Sequence, residues 1–202
     1  MTRPLDTRAA PRTELRSYLR IAAFAGWLCA AIVLVNTAKR AEILPTTAVT
    51  QLLAPLAQIF ALGFVLGLYL AYSRGRSGLL TVGLLASLAA VGALVGVEFV
   101  INLVFAYLEP AQVETLRSGP LGTALTAASI LFILAAAVYA AALWRTGAPR
   151  VPLALYAAAT FPIGLRALVP EAALQIALLT LAAAVVWLAV SLWQRAASPA
   201  TA

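Results

Sequence analysis

The stretch Leu79–Tyr107, LLTVGLLASLAAVGALVGVEFVINLVFAY, decides the fold. It runs for 29 residues with one charged side chain, Glu98. An apolar run beyond about 18 residues is a candidate membrane span. With no water in the hydrocarbon to bond backbone groups, such a segment closes its own hydrogen bonds as a helix. A carboxyl inside it is costly, and by default it marks a functional site. Ser87, Val91, Glu98, Asn102 and Phe105 share one side of the helix, with the Gly92/Gly96 pair roughly opposite. A glycine face and a polar face predict a central helix, packed on both sides.

Five more runs have the same character, at about 19–37, 48–72, 121–144, 151–169 and 171–193. Together they predict an all-α fold, a polytopic transmembrane bundle of six helices. It forms one domain, 19–195, between a basic tail at 1–18 and a disordered tail at 196–202. The chain is 63% hydrophobic and 10% charged; a soluble domain carries about 25% charged residues, so the deficit supports the membrane reading. The first run follows basic residues, as a signal peptide would. It is long for one, and Asn36-Thr37-Ala38 makes a poor cleavage site, so the reading is a retained helix.

Local signals place the boundaries. Thr46-Thr47 after Pro45 reads as the N-cap of the second span, and Pro110 as the first residue of a short surface helix. Gly63 and Gly67 allow close helix contact. Tyr69 and Tyr72 fit an interfacial aromatic belt. Pro162 kinks the fifth span, the shortest, and frees a carbonyl one turn earlier for Thr160 or a neighbouring helix to occupy.

Charge sets the orientation. The N-terminal tail, the basic turns around Arg74-Arg76 and Arg145-Arg150, and Arg195 hold ten Lys/Arg against Asp6 and Glu14. The opposite side holds Lys39, Arg40, Arg117 and Arg166 against five glutamates. The positive-inside rule puts both termini of this multi-pass protein in the cytoplasm. The net charge of +7 is scattered between apolar runs, so no nucleic-acid partner is expected. The partners expected are the lipid bilayer and a membrane protein or second copy meeting a GxxxG face.

The polar residues within spans gather in the half away from the termini. Glu98, Asn102, Arg166, Gln58, Gln51 and Asn36 form the candidate ligand or ion-pair cluster. Glu98 needs a partner or a proton at that depth, and Arg166 is the best-placed cation. The alternative is structural: a Glu98–Arg166 pair or a Glu98–Asn102 hydrogen bond that only fixes helix packing. Gln51 and Gln58 share a face of the second span, where helix–helix bonding is the simpler role. Glu171 reads as a first-turn acid complementing its helix dipole.

The chain has no histidine and a single cysteine, Cys29. That removes histidine-ligated metal, histidine general bases and haem ligated by histidine; no cofactor is expected. No catalytic motif occurs, and an enzyme would have to use Glu98 as its one acid–base group.

Three motifs carry a resemblance. They are Arg20-Ile21-Ala22 before the first span, Glu109-Pro110-Ala111-Gln112-Val113 before the fourth, and Trp144-Arg145-Thr146-Gly147-Ala148-Pro149-Arg150 after it. In these the chain resembles a family of six-span bacterial membrane proteins known as a domain of unknown function. The resemblance implies six helices and a plasma-membrane location. It implies no activity and assigns no functional residue.

The preferred functional reading is a small binding or accessory protein with an outward-facing polar cup around Glu98 and Asn102. A proton-coupled carrier using Glu98 is the alternative, against which the apolar inner half argues. A lipid-modifying enzyme is the third.

Overall fold

The structure is a computed structural model that describes the backbone of residues 10–73 and 78–198, and side chains from Glu14 on. The tail before Ala10, the basic turn at 74–77 and residues 199–202 lie outside the described residues. The described residues form seven helices and no strand. These are α1 (Ala10–Arg40), α2 (Ala48–Tyr72), α3 (Gly78–Phe99), α4 (Pro110–Ser118), α5 (Pro120–Trp144), α6 (Arg150–Gly164) and α7 (Glu171–Ala197). Helix therefore occupies part of the stretches read as basic and disordered tails.

Five helices are long and apolar enough to cross a membrane: α1 from Glu14, α2, α3 with its extension to Tyr107, α5 and α7. Helix α6 has 15 residues, a rise of about 22 Å against a hydrocarbon core of about 30 Å. Pro162 lies inside α6. The fully buried Thr160 donates its hydroxyl to the Ala157 carbonyl at 2.7 Å, one residue short of the group that Pro162 leaves unbonded.

The boundaries follow local chemistry. Thr47 caps α2, its hydroxyl accepting from the Thr50 N–H while Thr50 Oγ1 accepts from the Thr47 N–H. Pro110 opens α4, where the Gln112 side chain accepts from the Glu109 N–H at 3.0 Å. Glu42, at φ 59°, ends α1 in the left-handed conformation, and the Ile43 N–H bonds back to the Ala38 carbonyl.

The five long helices and the shorter α6 form a closed ring. Helix α1 packs against α2 and α7, α2 against α3, α3 against α5, α5 against α6, and α6 against α7; α4 rests on α5. So α3 is one stave of the ring, not a central helix. It meets its neighbours through Leu80, Gly83, Leu84, Ser87 and Val91, which are buried. Gly92 and Gly96 correct the sequence reading. They are exposed, with nothing within 4 Å of where a Cβ would stand. Spacing groups the two glycines on a face but does not say which face meets a neighbour.

At the end where α2, α5 and α7 finish, the ring is filled. A Cβ on Gly67 would run into Ala22, and one on Gly83 would stand 3.0 Å from the Tyr139 backbone. Tyr139 reaches across from α5 and donates its hydroxyl to the Val65 carbonyl of α2 at 2.8 Å. Tyr72 is buried, contrary to an aromatic belt, beneath the Arg195 guanidinium 3.9 Å from its ring centre. Towards the α4 end the packing loosens: α5 contributes no buried residue before Phe132, and α3 none after Val97.

Candidate functional site

The loose half encloses a cavity of about 160 Å³. Each wall is a helical stripe. Helix α1 contributes Cys29, Val33, Asn36 and Arg40; α2 contributes Ala54, Ala57, Gln58, Ala61 and Phe64. Both sets recur at three and four residues, so one face of each helix lines the space. Helix α3 adds Val91, Leu94, Glu98 and Asn102, and α7 adds Leu174, Leu178, Leu181 and Val185. Arg166, just past α6, completes the rim. The side chain of Arg40, another rim residue, is 40% exposed, so the cavity reaches the surface at the α4 end.

Polarity divides the cavity by depth. The rim holds Asn36, Lys39, Arg40, Gln58, Glu98, Asn102 and Arg166. The floor is apolar, with Phe64, Val91, Leu181 and Val185, and Tyr156 from α6 stands beside them. Beneath lies the filled half of the ring, crossed by the Tyr139–Val65 bond.

The polar groups at the rim are linked. The Asn102 Nδ2 donates to Glu98 Oε2 at 2.9 Å and to the Glu98 carbonyl at 3.0 Å. The Lys39 ammonium donates to Asn102 Oδ1 at 3.1 Å. An amide thus stands between carboxylate and ammonium and bonds both. Beside them, Arg40 grips Glu171 through two bonds of 2.9 and 2.7 Å, the one ion pair within 4.0 Å among the described residues.

The backbone departs from regular helix here. The α-helical turns of α3 stop at Phe99; a π turn covers Val100–Val104 and a 3-10 turn covers Phe105–Tyr107. The sequence reading had one regular helix to Tyr107. The Asn102 amide, inside the π turn, occupies the Glu98 carbonyl four residues earlier. π turns inside helices recur at functional sites.

Five of the six candidate residues meet at this cavity: Glu98, Asn102, Arg166, Gln58 and Asn36. Gln51 does not line it. It is buried and accepts the Tyr107 hydroxyl at 2.9 Å, tying α2 to the end of α3. The shared face of Gln51 and Gln58 is real, but Tyr107 claims the upper of the two, a long-range contact with no sequence signal. Arg166 does not pair with Glu98. It stands beyond 4.0 Å, close enough for the two charges to interact, and has no hydrogen-bond partner among the described residues. Asn36 Oδ1 is buried with no partner. Lys39 is the residue the sequence reading undervalued. It lies in the same helical stripe as Asn36, three residues on, and that spacing was the available signal.

Among the described residues no three His, Cys, Asp or Glu side chains group as metal ligands. Among the described residues Glu98 is the only carboxylate lining the cavity. Charges of both signs above an apolar floor suit the holding of an amphipathic molecule. Compared with family models, curated proteins and solved structures, the chain matches none.

Proposed function

We propose that this is a six-pass plasma-membrane protein, both termini cytoplasmic, that binds a small solute in a cavity open to the outside. The single observation carrying this is the division of one cavity into a charged rim and an apolar floor. Helix α6 serves as the sixth pass. Its 15 residues pack against α5 on one side and α7 on the other. The basic residues at the termini and at the Arg145–Arg150 turn put that end in the cytoplasm. A carrier would need a path through the half filled by Tyr139, Tyr72 and their neighbours, so binding or an accessory role is the reading preferred. Kinship with six-span bacterial membrane proteins rests on three short motifs alone.

Thiol labelling tests this. In a Cys29→Ala background, Gln58→Cys reacts with a membrane-impermeant, charged thiol reagent added to intact spheroplasts. Reaction only in inverted vesicles reverses the orientation, and no reaction on either side removes the cup. A periplasmic reporter fused after Arg195 stays inactive; an active fusion contradicts the cytoplasmic C-terminus.

A further inference from the structure

The side chains at the rim constrain the charge of what the cavity holds. Arg40 is engaged by Glu171, and Lys39 shares Asn102 with Glu98. Lys39 bonds only a neutral amide, and Arg166 has no hydrogen bond among the described residues, so cationic charge is left for an anionic group, with Arg166 the least engaged. On the other side, Glu98 uses only Oε2 in the bond to Asn102, and its Oε1 accepts from no described residue. The buried Asn36 Oδ1 lacks a donor, and a buried acceptor left unmet is costly. The rim therefore offers one cation without a hydrogen bond of its own, Arg166, and two acceptors without donors.

Simple ions fit this poorly. An anion would meet Arg166 but face the Glu98 carboxylate and leave Asn36 without a donor. A cation would meet Glu98 but face Lys39, Arg40 and Arg166. A molecule carrying both charges answers all three groups. Volume limits the rest of it. The 160 Å³ available is close to the roughly 150 Å³ that holds one benzene ring in an apolar protein cavity. The two chains of a phospholipid are far larger.

Resting on the outward cup proposed above, we infer that the cavity binds an apolar α-amino acid. Its carboxylate sits on Arg166, its ammonium between Glu98 and Asn36, and its side chain against Phe64, Val91, Leu181 and Val185. The zwitterionic head of phosphatidylethanolamine offers similar charges, and the volume argues against it.

The test uses the full chain purified in detergent and tritiated L-phenylalanine. Binding is saturable, and unlabelled L-leucine competes. 3-Phenylpropanoate lacks the ammonium and 2-phenylethylamine the carboxylate; each competes about tenfold or more weakly than L-phenylalanine, because each leaves buried polar groups unmet. Glu98→Gln brings L-phenylalanine and 3-phenylpropanoate to near-equal competition, and Arg166→Gln does so for L-phenylalanine and 2-phenylethylamine. These ratios are read within one variant, so a general loss of folding does not imitate them. Equal competition by either analogue against the unaltered chain overturns the inference in favour of a simple anion or cation site. Displacement by phosphatidylethanolamine but not by L-leucine overturns it in favour of a lipid headgroup. If neither amino acid binds while Gln58→Cys is labelled from outside, the inference falls and the cup stands. If that cysteine is also unlabelled, both fall.

Discussion

At one end of the ring, α1 and α2 come so close that a Cβ on Gly67 would strike Ala22. At the other end the same two helices leave space between Asn36 and Gln58, which both face a cavity. Side-chain size accounts for the first and polarity for the second. In lipid, helices gain little by hiding apolar surface from each other, so small residues that permit contact decide where a bundle closes. Polar side chains facing inward hold the walls apart, because each needs a partner that apolar packing cannot supply.

Substitutions can break this comparison, beginning with the closed end. Gly67→Leu forces a side chain into Ala22 and Leu192 and destabilises by about 3 kcal/mol, in the upper range for overpacking. The melting temperature in detergent measures it, and an unchanged value would mean that the closed end does not close. Tyr139→Phe removes the hydroxyl bond between α5 and α2, at a cost of about 1 kcal/mol. It should lower melting without altering labelling of Gln58→Cys; altered labelling would show that the bond also shapes the cavity.

At the open end the effects are smaller. The Arg40–Glu171 pair has side chains 40% and 49% exposed, so Arg40→Gln costs under about 1 kcal/mol, and less at high salt. A larger loss would show that the pair holds the rim together. A Cβ at Gly92 meets nothing within 4 Å, so Gly92→Leu points its side chain into open space. It changes stability by under about 1 kcal/mol, in the favourable direction because leucine suits a helix better than glycine. If it lowers melting or alters the oligomeric state, a second protein covers that face.

Much of the architecture was readable in advance because membrane helices announce themselves by length and apolarity. The cap at Thr47 and the start at Pro110 were equally local, hence equally legible. Contacts between distant residues were not. Glycine spacing placed Gly92 with Gly96 but could not say that the face would be empty. Helical spacing placed Gln51 with Gln58 but could not foresee Tyr107 arriving from α3. Charge alone favoured Arg166 as the partner of Glu98. Of the two partners the sequence offered for Glu98, the Asn102 amide four residues along reaches the carboxylate, and it does so within a π turn that nothing in VINLV foretells.

That π turn has a consequence for the rest of α3. A helix carrying one residue too many for its turn slips in phase by about 100°. Glu98 lies before the slip, and Tyr107, which holds Gln51, lies after it. Two tasks on one rod, presenting a carboxylate inward and latching onto a neighbour, are thereby set at independent angles. Removing one residue between Val100 and Val104 would restore a single phase and force the two to share it.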